Sequence, residues 1–391
     1  MTVIREESSV SMVIGIDARF FGPKGKGLGR YTQKLIETLE KIDSQNQYAV
    51  FLRRENFDDY QPAAKNFRKV LADYRWYSLK EQIFMPFLIR RTKVDLMHFP
   101  HFNVPVFYFG KFVVTIHDLI LRRFLTRRAS TLGPILWGLK NLAYRLVIWT
   151  AIKKAAKVIT VSNYVKKEIV YFFKIRPEKI AVIYEGRPTK NSEQKTQNPK
   201  SNFKRRDITG HYLLYVGSAY PHKNLNNLID AFNILVSRDK FSLQLVFVGE
   251  QDYFYRQLGN YLAEYFIYLE NRIIFTDFVS DSELEDIYRG ALVYVFPSLC
   301  EGFGLPPLEA MTYGVPVVSS NATCLPEILG QAAIYFEPKD PQDMAEKIKR
   351  VIKNKKIRQE LVANGFKQIK KYSWDKMGKA TLKIYKEIGQ K

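Results

Sequence analysis

Between Arg187 and Arg206 the chain nearly runs out of apolar residues, and the same alternation of short apolar runs with amphipathic stretches lies on both sides of that gap. The interval contains Asn191-Ser-Glu-Gln-Lys-Thr-Gln-Asn-Pro-Lys200, the composition of a linker or surface loop. On its N-terminal side, residues 12–16, 49–52, 96–99, 112–116, 158–161 and 180–184 read as short buried strands. A glycine loop after the first of them opens a helix to about Lys41. Residues 77–91 read as an aromatic, amphipathic helix interrupted at Pro86, and Ser162-Asn163 as the cap of another. Beyond the gap, strands are expected at 212–216, 243–248, 273–275, 291–296 and 315–318, with helices at 224–237 and 281–289. From Met344 onward the chain reads as helical, with breaks near Gly365 and Tyr372. This pattern predicts an α/β fold of two Rossmann-like parallel-sheet domains. Their expected limits are 1–190 and 209–371, with a linker at 191–208 and a terminal helix at 372–391.

Chemistry concentrates in Phe296-Pro-Ser-Leu-Cys-Glu-Gly-Phe-Gly-Leu-Pro-Pro-Leu-Glu-Ala-Met311. Glu301 and Glu309 stand eight positions apart, Gly302 and Gly304 lie between them, and Pro306-Pro307 suit the first turn of a helix. An apolar run precedes the segment and another follows it. The reading is strand, glycine turn, helix, strand, a place where backbone N–H groups and the positive end of a helix hold a phosphate-bearing ligand. Glu301 before the helix and Glu309 in its early turns can then face one ligand from different ends, through its hydroxyl groups. In the first half, Gly25-x-Gly27-x-Gly29 is followed by Arg30 and so departs from the dinucleotide fingerprint, which counts against a nicotinamide enzyme. His117 ends the buried run Val113-Val-Thr-Ile116, where cleft residues of open sheets gather. His98 and His101 have a spacing that suggests a metal, but no further cysteine or acidic cluster joins them.

The glutamate segment resembles the Glu-x7-Glu signature of the retaining group 1 glycosyltransferases, which have the GT-B fold. Phe-Pro-Ser before it and Gly314-Val-Pro-Val-Val318 after it match as well. The resemblance runs from Met12 to about Gly389 and implies two domains facing across a cleft, with the terminal helix crossing back to the first. It implies a nucleotide-sugar as co-substrate, no cofactor and no metal, in keeping with the absence of an Asp-x-Asp pair. Tyr215-Val-Gly-Ser-Ala-Tyr-Pro-His-Lys-Asn224 resembles the family's phosphate motif. Gly217 and Ser218 would bind the donor, and Lys223 would neutralise charge growing on the leaving diphosphate. Ser218 stands where the family often has Arg, so Lys223 acts alone or with His222. Glu309 would hold the ribose, while Glu301 and the backbone of Gly302, Phe303, Gly304 and Leu305 would hold the sugar. Gly27 and Gly29 would belong to the turn near the donor diphosphate. His117 would approach the transferred sugar, Asp118 would orient its loop, and His98 and His101 would lie on the acceptor side. Leu325-Pro326-Glu327 matches a segment near the donor sugar, with Thr323-Cys324 replacing the usual glycine pair. Catalytic roles thus fall to His117, Lys223 and Glu301. The pattern is most similar to mannosyltransferases, which favours GDP-mannose and leaves UDP-glucose and UDP-N-acetylglucosamine open. A nucleotide-sugar epimerase or hydrolase of the same fold would share the architecture.

The formal charge of the 391 residues is +22. Between Leu119 and Lys167 there are Arg122, Arg123, Arg127, Arg128, Lys140, Arg145 and five further lysines, but no Asp or Glu. Trp137, Tyr144 and Trp149 are interleaved with them. Such a surface is expected to associate with an anionic membrane face, each near-surface cation contributing about 1 kcal/mol. Nucleic acid would be attracted too, but that alternative leaves the glutamate and glycine segments unexplained. Two cysteines without a metal-type cluster, an N-terminus without a signal-peptide core and no bilayer-length apolar run predict a cytoplasmic enzyme, peripheral on the inner face of the cell membrane. Its expected acceptor is a saccharide or lipid-linked saccharide of surface-glycan synthesis.

Overall fold

The structure, a computed structural model, describes residues 11–22, 25–124, 134–187, 207–277 and 279–390; for 26, 134–137, 139 and 140 it describes the backbone alone. The chain divides into two compact units. One comprises the chain up to Leu119, Leu125–Gly186 and Ser373–Lys391; the other comprises Ile120–Phe124 and Arg187–Tyr372. The expected linker at 191–208 lies almost wholly outside the described residues.

In the first unit the order is β1 (Val13–Asp17), α1 (Lys26–Ile42), β2 (Gln47–Leu52), β3 (Phe67–Leu71), α2 (Leu79–Arg91), β4 (Leu96–Phe99) and β5 (Phe112–Ile116). A short α3 (Ile120–Arg123), which clusters with the second unit, precedes α4 (Pro134–Lys154), β6 (Lys157–Thr160), α5 (Asn163–Phe173) and β7 (Ile180–Val182). The strands form one parallel sheet in the order β3-β2-β1-β4-β5-β6-β7. Strands β4 and β5 are buried at every residue, as a parallel sheet covered on both faces requires. Met85 and Ile89 of α2, Ile148 and Ile152 of α4 and Ile169 of α5 share one core. Leu35 and Leu39 of α1 pack in the other, together with Met377 and Tyr385 of the terminal helix. Each such fully buried side chain contributes about 1.5–3 kcal/mol.

The second unit continues with β8 (Tyr212–Val216), α6 (Leu225–Asn233), β9 (Gln244–Val248), α7 (Tyr253–Tyr265), β10 (Ile273–Thr276), α8 (Asp281–Gly290) and β11 (Val293–Phe296). Then come α9 (Leu305–Thr312), β12 (Val317–Ser320), α10 (Leu325–Leu329), β13 (Ala333–Phe336), α11 (Pro341–Lys353) and α12 (Lys355–Gln368). The last helix, α13 (Trp374–Gly389), belongs to the first unit. The second sheet is also parallel, in the order β10-β9-β8-β11-β12-β13. In both sheets the strand order reverses beside the unit's first strand. That is the switch point at which open α/β sheets bind ligands, outside the carboxyl ends of the strands.

Three expectations need correction. Helix α2 is not interrupted: it runs through Pro86, forfeiting only the bond that residue's N–H would have given four residues back. Helix α12 runs through Gly365, which packs against Met311, and the break falls instead at Asn354, the N-cap of α12. The strand expected at 315–318 begins two residues later. Strands β3 and β13 and helix α7 carried no expectation.

Candidate functional site

In the second unit the chain leaves β8 at Gly217, makes a turn at Pro221–Lys223 and enters α6 through Asn224, whose backbone is left-handed at φ 62°. The adjacent strand β11 leads into the glutamate loop. Three bonds lock these connections together. The Leu299 N–H donates to the His222 carbonyl (2.8 Å), and Asn224 Nδ2 donates to the carbonyls of Pro297 (3.1 Å) and Pro338 (2.6 Å). Lys223 Nζ consequently meets Glu301 Oε1 at 2.6 Å, an ion pair with side chains only 16% and 11% exposed. The imidazole of His222 is held neutral, with a pKa near 4, by burial and by Lys223 beside it.

Gly304 caps the start of α9 at φ 100°, a conformation that L side chains rarely adopt, and a Cβ there would lie 3.0 Å from Leu325 Cδ2. Pro306 and Pro307 then occupy the first helical turn. Glu309 is 8% exposed, and its Oε2 accepts from the Tyr288 hydroxyl at 3.1 Å. Tyr294 has its phenol pKa pushed far up, first by burial and then by the charges of Glu309 and Glu301. The Tyr294 hydroxyl itself donates to the Val216 carbonyl (3.4 Å), and the elements that carry Glu301 and Glu309 follow β11 at the switch point between β8 and β11. Gly217, Ser218, Lys223, Glu301, Gly302, Phe303, Gly304, Leu305 and Glu309 all lie on this carboxyl edge. The arrangement offers one ammonium, a helix N-terminus and two carboxylates, able respectively to bind phosphate oxygens and sugar hydroxyls.

Several supporting contacts could not be read from the sequence. Thr323 Oγ1 accepts from the Glu301 N–H (3.1 Å), and the buried Cys324 thiol donates to the carbonyls of Glu301 and Phe303 (3.3 Å each). This pair, standing where a glycine pair was expected, fastens the glutamate loop. The hydroxyls of Tyr255 and Tyr215 donate to the carbonyls of Gly217 (2.7 Å) and Ser218 (2.8 Å). Apart from Tyr215, three positions from Ser218, these partners sit 21 to 38 residues apart along the chain, and only tertiary structure joins them.

In the first unit, His117 follows β5 with both ring nitrogens engaged. Nδ1 meets Glu185 Oε1 and Nε2 donates to the Pro100 carbonyl, each at 2.9 Å. Tyr31 packs edge-on against the ring at 4.6 Å. Burial lowers the His117 pKa, but Glu185 and the Pro100 carbonyl more than offset it, leaving it above the ordinary imidazole value. Gly27 is exposed on the first turn of α1 with open space around it. Gly29 is glycine because a Cβ would fall 2.1 Å from the Gly22 carbonyl oxygen of its own turn. The acceptor-side expectation fails for His98: it is fully buried, bonded to the Tyr385 hydroxyl of α13 and to Thr115 Oγ1 (2.8 Å). Its pKa is depressed to about 3 by burial and by His117. His101 packs against Phe102 and Phe20. Arg19 is buried between Asp17 (2.7 Å) and Glu81 (2.6 Å), a charge cluster below the same sheet edge. Among the described residues no group of three His, Cys, Asp or Glu side chains is placed to hold a metal ion.

The sequence profile of the glycosyl transferases group 1 matches residues 196–368, and that of glycosyltransferase family 4 matches residues 25–191. O-antigen chain mannosyltransferase B of Escherichia coli is 26% identical over 92% of this chain and 96% of its own length. O-antigen chain mannosyltransferase RfbU of Salmonella typhimurium is 27% identical over 84% of this chain and 88% of its own. Sucrose-phosphate synthase from Thermosynechococcus elongatus superposes with a TM-score of 0.73 at 18% identity, covering 96% of this chain and 99% of that one, a likeness of fold.

Proposed function

This chain belongs to the group 1 glycosyltransferases, and from that premise we propose that it transfers mannose from GDP-mannose, with retention, to a saccharide or lipid-linked saccharide of a bacterial surface glycan. The observation that carries the reading is the Lys223–Glu301 ion pair at the switch point of the second sheet, with Glu309 on the helix that follows the same loop. In this reading the donor diphosphate draws Lys223 away from Glu301 and lies at the N-terminus of α9. Glu301 then exchanges its lysine partner for sugar hydroxyls, and Glu309 holds the ribose. The ammonium offsets the charge that develops on the departing phosphate, an interaction stronger in the transition state than in the ground state. Front-face attack needs no enzyme nucleophile, since the leaving phosphate oxygen takes the acceptor proton. His117, held by Glu185 and the Pro100 carbonyl, which favour its charged form, is in place to approach the transferred sugar. The names of the two O-antigen relatives support mannose and a surface-glycan acceptor. We further place the enzyme in the cytoplasm, attached to the inner membrane face.

A thermal-shift panel of GDP, UDP, GDP-mannose, UDP-glucose and UDP-N-acetylglucosamine tests the donor. GDP-mannose and GDP should raise the melting temperature and the uridine ligands should not, because only ligands of the folded state stabilise it. A shift with UDP-sugars alone overturns the mannose assignment. An inverted anomeric product, read by NMR, overturns retention.

A further inference from the structure

We propose that the outer surface of α2 and α4, together with a basic groove at the amino ends of β5, β6 and β7, is a docking face for an anionic phospholipid bilayer. The inference rests on the membrane attachment proposed above and locates it. Helices α2 and α4 cover the same face of the first sheet, turning Met85, Ile89, Ile148 and Ile152 inward. The loop between β4 and β5 bridges them, because the Val106 N–H donates to Gln82 Oε1 (2.7 Å) and its carbonyl accepts from Lys154 Nζ (2.8 Å). Outward, α2 shows Leu79, Ile83 and Phe87, one turn apart and 82%, 49% and 66% exposed. The loop shows Phe107 and Phe109, and α4 shows Leu142, Leu146 and Trp149, all at least half exposed. Single exposed apolar residues are ordinary; a run of this length across three neighbouring segments marks an interaction surface.

Charge selects the occupant. Glu81, the acid of α2's first turn, is turned inward onto Arg19 and adds nothing to the outer face. Lys80, Arg90, Arg145, Lys153 and Lys154 are exposed around the apolar residues. Lys154 lies 4.4 Å above the Phe109 ring, an aromatic–cation pairing suited to a headgroup layer. Lys153 leads into a groove of about 970 Å3 lined also by Lys111, Lys157, Lys174, Arg176 and Lys179 and floored by Ile175, Ile384 and Ile388. Its acids are Glu178 and Glu387 alone. Burial, then the charges of Lys153 and Arg176, depress the Lys179 pKa, as expected where cations outnumber acids. A second copy of the chain would bring like charges together. A bilayer with anionic headgroups meets both the apolar and the cationic parts.

The test is co-sedimentation with phosphatidylcholine vesicles, with and without phosphatidylglycerol. Binding should require phosphatidylglycerol and weaken with salt. The charge reversals K111E, K153E and K174E combined should lower affinity at least tenfold, and F107S with F109S should lower it similarly. Quenching of Trp149 by brominated lipid, lost in W149F, should report insertion, and it still reads the wild type if the serine variant does not fold. Binding equal to phosphatidylcholine alone, undiminished binding in the charge-reversed chain, or no binding overturns the proposal. The GDP-mannose thermal shift, run in parallel on every variant, should be unchanged; its absence in wild type that still binds vesicles would sink the donor reading and leave this one standing.

Discussion

At the residue scale, the site is governed by which partners each charge has before any ligand arrives. Lys223→Ala should reduce transfer by about 100- to 1,000-fold, the usual cost of one lost electrostatic donor. It should also lower stability by about 1–3 kcal/mol, since it strands Glu301 nearly buried. Adding Glu301→Gln should recover part of that stability in denaturant titrations and none of the rate. If the double variant regained activity, Lys223 would be a structural partner only. His117 offers a separate check. Its folded pKa is raised, so its contribution to stability is complete below about pH 6.5, the unfolded value, and fades as pH rises through the higher folded one. NMR titration of the imidazole should therefore give a pKa above 6.5 in wild type, and Glu185→Gln should bring it down. An unchanged value would show that Glu185 does not hold the charge.

At the element scale, α9 depends on its left-handed entry. Gly304→Ala should cost about 1–2 kcal/mol for backbone strain, with further crowding of Leu325. It should also raise KM for the donor more than it lowers kcat, because the helix N-terminus is misaimed. A variant with wild-type melting temperature and KM would remove α9 from donor binding. The central strands and the glutamate turn were legible because Leu96–Phe99, apolar but for His98, and Val293–Phe296 are short apolar runs, as strands buried on both faces tend to be. The edges were not. Strand β3 is Phe-Arg-Lys-Val-Leu with only Phe67 buried, so it does not stand out as an apolar run, whereas the apolar run Ala-Ile-Tyr-Phe of β13 carried no expectation. Helix α7 hid behind its tyrosines, which stand on its buried side (Tyr255) and its exposed side (Tyr253, Tyr265) alike and so blur the apolar stripe. Within the site, Glu301, Glu309 and Lys223 were readable from spacing and resemblance, whereas Tyr288, Thr323 and Glu185 were not. Each reaches its partner across 21 to 68 positions of chain.

At the scale of the whole molecule, the first unit is assembled from both ends of the sequence. Trp374, Met377, Leu382, Ile384 and Tyr385 of α13 are buried in its core, and Tyr385 completes the hydrogen bonding of His98. At about 1.5–3 kcal/mol per buried side chain, α13 carries as much as the entire net stability of an ordinary domain. Removal of 373–391 should therefore unfold the first unit, seen as early loss of its amides in hydrogen exchange. The second unit should keep its protection. Native-like protection of β4 and β5 in the truncated chain would refute the assignment. The same arrangement bears on biosynthesis. As the polypeptide leaves the ribosome, the amino-terminal half emerges first but cannot close its core until Trp374–Gly389 has followed, so the unit made in between matures earlier. An unfinished sheet waiting through that interval is a natural client for chaperones, and slow elongation would lengthen its exposure.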